Sequence, residues 1–169
     1  TQIREGSPDG TKDAKWSPQI SVGISVLIPE RYVADLSVRL GLYRRLSRLE
    51  TREDIDGFAA ELIDRFGALP DEVTNLLKII EIKQNCHAAG IERIEAGPKG
   101  AVVAFRENKF ANPEGLIGFI QKEAKSVKLR PDHSLLILRN WELSRDRLPG
   151  VTELAARLAR IAAGGAGKA

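Results

Sequence analysis

The chain has 169 residues, of which 43% are hydrophobic and 29% charged, and carries a formal net charge of +3. This is the composition of an ordinary globular protein long enough for one domain with a real core, and it excludes a disordered or fibrous chain. The mild positive charge is too weak to argue for nucleic-acid binding unaided. Aromatic residues make up only 5%, so aliphatic side chains must fill most of the core. Cys86 is the single cysteine, which excludes an internal disulfide and makes a reducing cytoplasm the simpler setting. No apolar run approaches the ~20 residues of a membrane span, and the N-terminus carries no signal-peptide pattern. The chain starts at Thr1 rather than methionine, which suggests a piece of a longer protein.

Residues 1–15 are polar and rich in Gly, Asp and Lys, and read as a linker or disordered segment. The apolar run Val22 to Ile28, ended by Pro29, predicts a strand. Tyr32 to Leu49 predicts a helix, with Val33, Leu36, Leu40, Tyr43 and Leu46 on its apolar stripe and Arg39, Arg44, Arg45 and Arg48 off it. A second helix is expected over 52–66, where Ile55, Phe58, Ala59, Leu62 and Phe66 recur at helical spacing. Thr51 and Asp54 resemble a capping box at its start, and Gly67 supplies the residue that commonly ends a helix. Pro70 suits the first turn of a third helix, running to Ala89, with Asp71 and Glu72 where the helix dipole favours negative charge. Gly90 is its natural C-cap.

The period then changes. Ile91–Ala96 and Ala101–Arg106 flank Gly97-Pro98-Lys99-Gly100, a hairpin signal. Asn112-Pro113-Glu114 opens a helix to about Glu123. Ser126–Arg130 and Leu135–Arg139 predict a second hairpin, and Val151–Ala163 a last helix. Strands joined by tight turns imply an α+β fold: a small antiparallel sheet built from hairpins, packed against several helices. Residues 16–163 are expected to form one domain, and 164–169 a disordered tail.

No catalytic constellation stands out. The tail Gly164-Gly165-Ala166-Gly167-Lys168-Ala169 resembles a phosphate loop but lacks its first glycine and its Ser or Thr. Cys86 and His87 are helix neighbours about 100° apart and cannot form a same-face metal pair. His133 lies in a turn with no second ligand nearby in sequence. A Cys–His pair formed in space stays open, with a buried thiol beside a surface histidine as the alternative. Arg39, Arg44, Arg45 and Arg48 could contact phosphates, but no aromatics are interleaved to stack bases. Lys122, Lys125, Lys128 and Arg130 form a second basic scatter. On the second helix, Asp64 points almost opposite the apolar stripe and Glu61 lies on its flank. Three residues apart, the two carboxylates are surface neighbours and could meet arginines of a partner, against the alternative of plain solvation.

Two stretches resemble a known family. Trp16-Ser17-Pro18-Gln19-Ile20, Ile28-Pro29-Glu30-Arg31-Tyr32-Val33, Leu36, Arg39-Leu40 and Tyr43-Arg44-Arg45-Leu46 are similar to the start of the C-terminal domain of the bacterial transcription-repair coupling factors (Mfd). The block Glu61-Leu62-Ile63-Asp64-Arg65-Phe66-Gly67-Ala68-Leu69-Pro70 resembles that domain's signature, and Asn112-Pro113, Leu116-Ile117 and Gln121-Lys122 also fit. The resemblance covers about residues 16–163. It implies a parent that is an ATP-driven translocase on double-stranded DNA, acts on stalled RNA polymerase and recruits UvrA. The motor would lie upstream, joined through a linking segment that ends in residues 16–28. This domain would then be non-catalytic and hold no cofactor or metal. It would pack on the parent's UvrA-binding module, masking it and restraining the motor. The resemblance raises Glu61 and Asp64, with Arg65 beside them, to the expected partner contact. The rival expectation is a nucleic-acid module using Arg39, Arg44, Arg45 and Arg48. The Ala- and Gly-rich tail does not match the family pattern.

Overall fold

The computed structural model describes residues 16–164. The expected linker over 1–15 and all of the expected tail except Gly164 lie outside the described residues. Five helices and five strands follow in the order β1 (Gln19–Ser21), α1 (Leu36–Leu46), α2 (Arg52–Phe66), α3 (Asp71–Ala89), β2 (Ile91–Gly97), β3 (Gly100–Phe105), α4 (Pro113–Lys122), β4 (Val127–Leu129), β5 (Leu135–Leu138) and α5 (Ser144–Ala162).

Local chemistry sets most of the boundaries. Thr51 and Asp54 form the expected reciprocal capping box on α2. Asp35 caps α1 by accepting from the Val38 amide, so that helix runs over Leu36–Leu46 rather than from Tyr32 to Leu49. Residues Pro29 to Val33 form a turn instead, in which the amides of Tyr32 and Val33 both bond the Pro29 carbonyl. Pro70 is the N-cap residue of α3 rather than its first helical residue. Gly90 closes α3 in the left-handed conformation, φ 73°, ψ 25°. Asn112 caps α4 through the Gly115 amide, with Pro113 first in the helix.

The fold class is α+β, as the hairpins implied, and the sheet is mixed. Its order is β1-β2-β3-β5-β4. β2–β3, β3–β5 and β5–β4 are antiparallel, while β1 joins the edge in parallel, Ile20 opposite Ile94. Alternation along the strands buries Ile94, Ala101, Val103, Phe105, Leu135, Ile137 and Val127. These meet Ile82, Cys86, Phe119, Val151, Ala155 and Leu158 from α3, α4 and α5 in one apolar core. A second core joins α1, α2 and the first turns of α3 through Leu42, Leu46, Ile55, Phe58, Leu62, Val73 and Leu77. α3 is common to both, which holds the α1–α2 pair to the sheet layer.

Two predicted elements need correction. The run Val22 to Ile28 is not a strand. It alternates buried and exposed residues as a strand would, but side chains rather than a neighbouring strand take its backbone groups. Arg147 donates to the Val22 carbonyl at 3.0 Å, Asn75 to the Ser25 carbonyl at 3.5 Å, and the Ile28 amide donates to the Tyr43 hydroxyl at 2.7 Å. The last helix starts at Ser144, not Val151. Pro149 inside it suggested a break, yet the turn before it is held by Arg147, whose guanidinium donates to the Trp141 carbonyl at 3.0 and 3.2 Å.

Candidate functional site

The two stretches that carried the family resemblance meet in space. Tyr32 donates its hydroxyl to the carbonyls of Leu62, at 3.1 Å, and Gly67, at 2.7 Å, and its ring tilts against Phe66 at 5.7 Å. Gly67 reaches φ 97°, ψ −168°, backbone that favours glycine. Arg31 pairs with Glu72 at 2.7 Å, fixing the same turn to the start of α3. The turn before α1 is thereby fixed to the end of α2 and the start of α3.

Glu61 lies at the centre of that face. Both of its carboxylate oxygens are taken by Arg45 of α1, at 2.7 and 2.6 Å, a two-pronged charge-assisted contact across the helix pair. Arg65, one turn along α2, adds a third bond at 3.1 Å. The hydrogen bonds from Arg45 above all, then those from Arg65, hold the Glu61 carboxyl down at about 2. The same contact raises Arg45 above its ordinary value. Arg45 also lies over the Phe58 ring at 4.9 Å and Arg65 over Phe66 at 4.8 Å, so both guanidinium groups rest on the aromatic edge of the second core. Asp64 is exposed, and among the described residues its carboxylate takes no ion pair or hydrogen bond. Ile63 beside it is 50% exposed.

The four arginines named for phosphate contact do not form one patch. Arg39 turns back on its own helix start and donates to the carbonyls of Val33 and Ala34 at 2.7 and 3.1 Å. Arg45 is engaged by Glu61. Arg44, in the last turn of α1, and Arg48, in the turn after it, are exposed. Of the second basic scatter, Lys128 donates to the Ala124 carbonyl at 3.2 Å, and Lys122, Lys125 and Arg130 are exposed.

Cys86 is fully buried, and burial pushes its thiol up to about 12, so it cannot supply a thiolate nucleophile at neutral pH. His87 is exposed and stacks on Trp16 at 4.6 Å, and the Arg106 guanidinium lies over the same Trp16 ring at 4.9 Å. His133 sits in the β4–β5 turn at φ 72°. Among the described residues no group of three or more His, Cys, Asp or Glu could hold a metal ion, and no helix is long and apolar enough to cross a membrane. An open hollow of about 410 Å³ lies between the β2–β3 turn and the loop after β5, lined by Pro98, Lys99, Leu138, Arg139, Asn140 and Glu142; it contains no nucleophile paired with a base.

Sequence reasoning missed the pairing of Arg45 with Glu61. It placed the two residues in different functions, because no local signal tells which face of α1 meets α2.

These features define an α+β domain whose most organised surface is an ion-paired helix face rather than a pocket. A family model, the TRCF domain, matches residues 22–116. The chain is 38% identical over 122 residues to the transcription-repair-coupling factor of Rickettsia conorii, covering 72% of this chain and 11% of that protein. It is 30% identical over 135 residues to that of Escherichia coli, covering 80% and 12%, and 31% over 153 residues to that of Haemophilus influenzae, covering 90% and 13%. A crystal structure of the C-terminal domain of transcription-repair coupling factor shares the fold, with a TM-score of 0.62 at 16% identity, covering 88% of this chain and 98% of that one. The chain belongs to the transcription-repair coupling factor family. It spans only about a tenth of the length of these relatives.

Proposed function

We propose that this domain is a regulatory interaction module of a transcription-repair coupling factor. It packs its α2 face, with Glu61, Asp64 and Arg65, against the UvrA-binding module of the parent protein. The contact masks the UvrA surface and restrains the DNA translocase motor until stalled RNA polymerase is engaged. The observation that carries this reading is the exposed, charge-ordered face of α2, built by the residues on which the family resemblance rests. A contact that must open suits a modest polar interface better than a dry apolar one. Coupling of about 1–3 kcal/mol would shift the open population roughly 5–150-fold.

Binding of the 169-residue chain to the UvrA-binding module, at low and moderate salt with duplex DNA in parallel, tests the reading. Module binding that weakens on reversing the charges of Glu61 and Asp64 supports it. In the intact parent the same reversal raises UvrA affinity, basal ATPase activity and DNA binding. Binding to DNA alone, with a steep salt slope, would replace this reading with a nucleic-acid module using Arg44 and Arg48.

A further inference from the structure

The chain enters the sheet layer through two stretches that are held in different ways. β1 is three residues long and sits at the sheet edge, with one parallel neighbour, Gln19 opposite Arg93 and Ser21 opposite Glu95. So short a parallel pairing holds weakly on its own. Just ahead of it, Trp16 stacks on His87 with 18° between the ring planes, and the Arg106 guanidinium lies over the same ring. The two residues that grip Trp16 are tied to each other: His87 is in the last turn of α3, Gly90 closes that helix, and the Arg106 amide donates to the Gly90 carbonyl at 2.8 Å. Arg93, opposite Gln19, has its Nε buried without a hydrogen bond among the described residues, with Glu95 no nearer than 3.5 Å. An unmet buried donor lowers the cost of opening this edge to water.

From Val22 onwards, side chains of three helices hold the backbone. Arg147 of α5 donates to the Val22 carbonyl and stands 3.3 Å from where a side chain on Gly23 would begin. Asn75 of α3 donates to the Ser25 carbonyl, and Tyr43 of α1 accepts from the Ile28 amide. Val22 is buried in the first core and Ile28 in the second. We infer that residues 16–28 form a two-part strap: residues 16–21 are a releasable latch that Trp16 closes, and residues 22–28 are a fixed anchor that starts where Arg147 holds Val22. Opening of the latch is a local event that leaves both cores packed. It moves the point at which the chain enters the domain by up to about 20 Å, the extended length of six residues. The inference does not depend on the masking reading above.

Iodoacetamide labelling of Ile20→Cys and of Val22→Cys in the native 169-residue chain, each located by peptide mass spectrometry, tests the strap. Adding Trp16→Ala speeds labelling at position 20 about tenfold, the loss of one stacked and cation-bearing ring, and leaves position 22 unchanged. Trp16→Phe, which keeps a ring for His87 and Arg106, restores most of the protection. His87→Ala and Arg106→Ala each speed position 20 by a few-fold and also spare position 22. Adding Arg147→Met to the Val22→Cys chain speeds position 22. Labelling at position 20 that ignores Trp16→Ala shows that Trp16 is not the latch. Equal acceleration at both positions, or loss of the whole fold by circular dichroism, shows that the segment opens only with the domain, and overturns the division at Val22.

Discussion

The guanidinium of Arg147 donates to the carbonyl of Val22 at 3.0 Å, joining residues 125 apart in sequence. Nε and Nη2 of the same group donate to the Trp141 carbonyl, and the side chain is buried. One arginine thus anchors the chain leading in from β1 to the start of the last helix, without a carboxylate partner among the described residues.

Replacing Arg147 with methionine keeps the aliphatic bulk and leaves both carbonyls without their donors. The cost is roughly 2–4 kcal/mol, set by the unsatisfied buried groups. Urea unfolding measures it, and hydrogen exchange over residues 22–28 rises more than over β2 and β3. Exchange in that segment unchanged from the native chain would show that Arg147 is not its anchor.

Glu61 makes stability depend on pH. Its carboxyl lies at about 2 in the folded chain against an ordinary 4.5, so the unfolded state binds the proton more readily. Its contribution is therefore fully present above about pH 4.5 and drains away as pH falls towards 2. Asp54 and Glu72 are lowered in the same sense, Asp54 chiefly by backbone amides of Glu50 and Thr51 and Glu72 chiefly by Arg31. Urea midpoints between pH 2 and 5 fall less steeply in Glu61→Gln than in the native chain. Parallel curves would remove the Arg45–Glu61 contact as a source of acid sensitivity.

Two glycines respond in opposite directions to alanine. A Cβ on Gly150 would lie 2.5–2.6 Å from the Trp141 ring, so Gly150→Ala overpacks the core and costs about 1–3 kcal/mol, with a change in tryptophan emission. Gly57 is inside α2 with nothing within 4 Å of the added atom, so Gly57→Ala stabilises by about 0.5–1 kcal/mol through helix propensity. Thermal unfolding of the pair checks both signs.

Cys86 resists modification. Buried and raised to about 12, its thiol is inert to iodoacetamide at pH 8 in the native chain and reacts at the unfolded rate in denaturant. Rapid labelling of the native chain would indicate that α3 opens locally from the sheet.

The helix and hairpin chemistry was legible along the chain because it acts over three or four residues. Thr51 with Asp54, Gly90 after α3 and Asn112-Pro113 before α4 each satisfy backbone groups beside them in sequence, and Gly97 pairs with Gly100 across the hairpin turn. The α+β class followed from these, and so did the exposure of Asp64, since the apolar stripe of α2 dictates which face is buried. Partners were not legible. Val22 to Ile28 has the alternation of a strand but spends its backbone groups on Arg147, Asn75 and Tyr43. Pro149 looked like a helix break and lies within α5. Only the packing of α1 on α2 brought Arg45 to Glu61. Only the sharing of α3 between two cores fixed that pair to the sheet. Caps and turns are settled by neighbours in the chain, whereas ion pairs, edge pairing and core assignment depend on which surfaces lose water together, and that is decided when the whole chain packs.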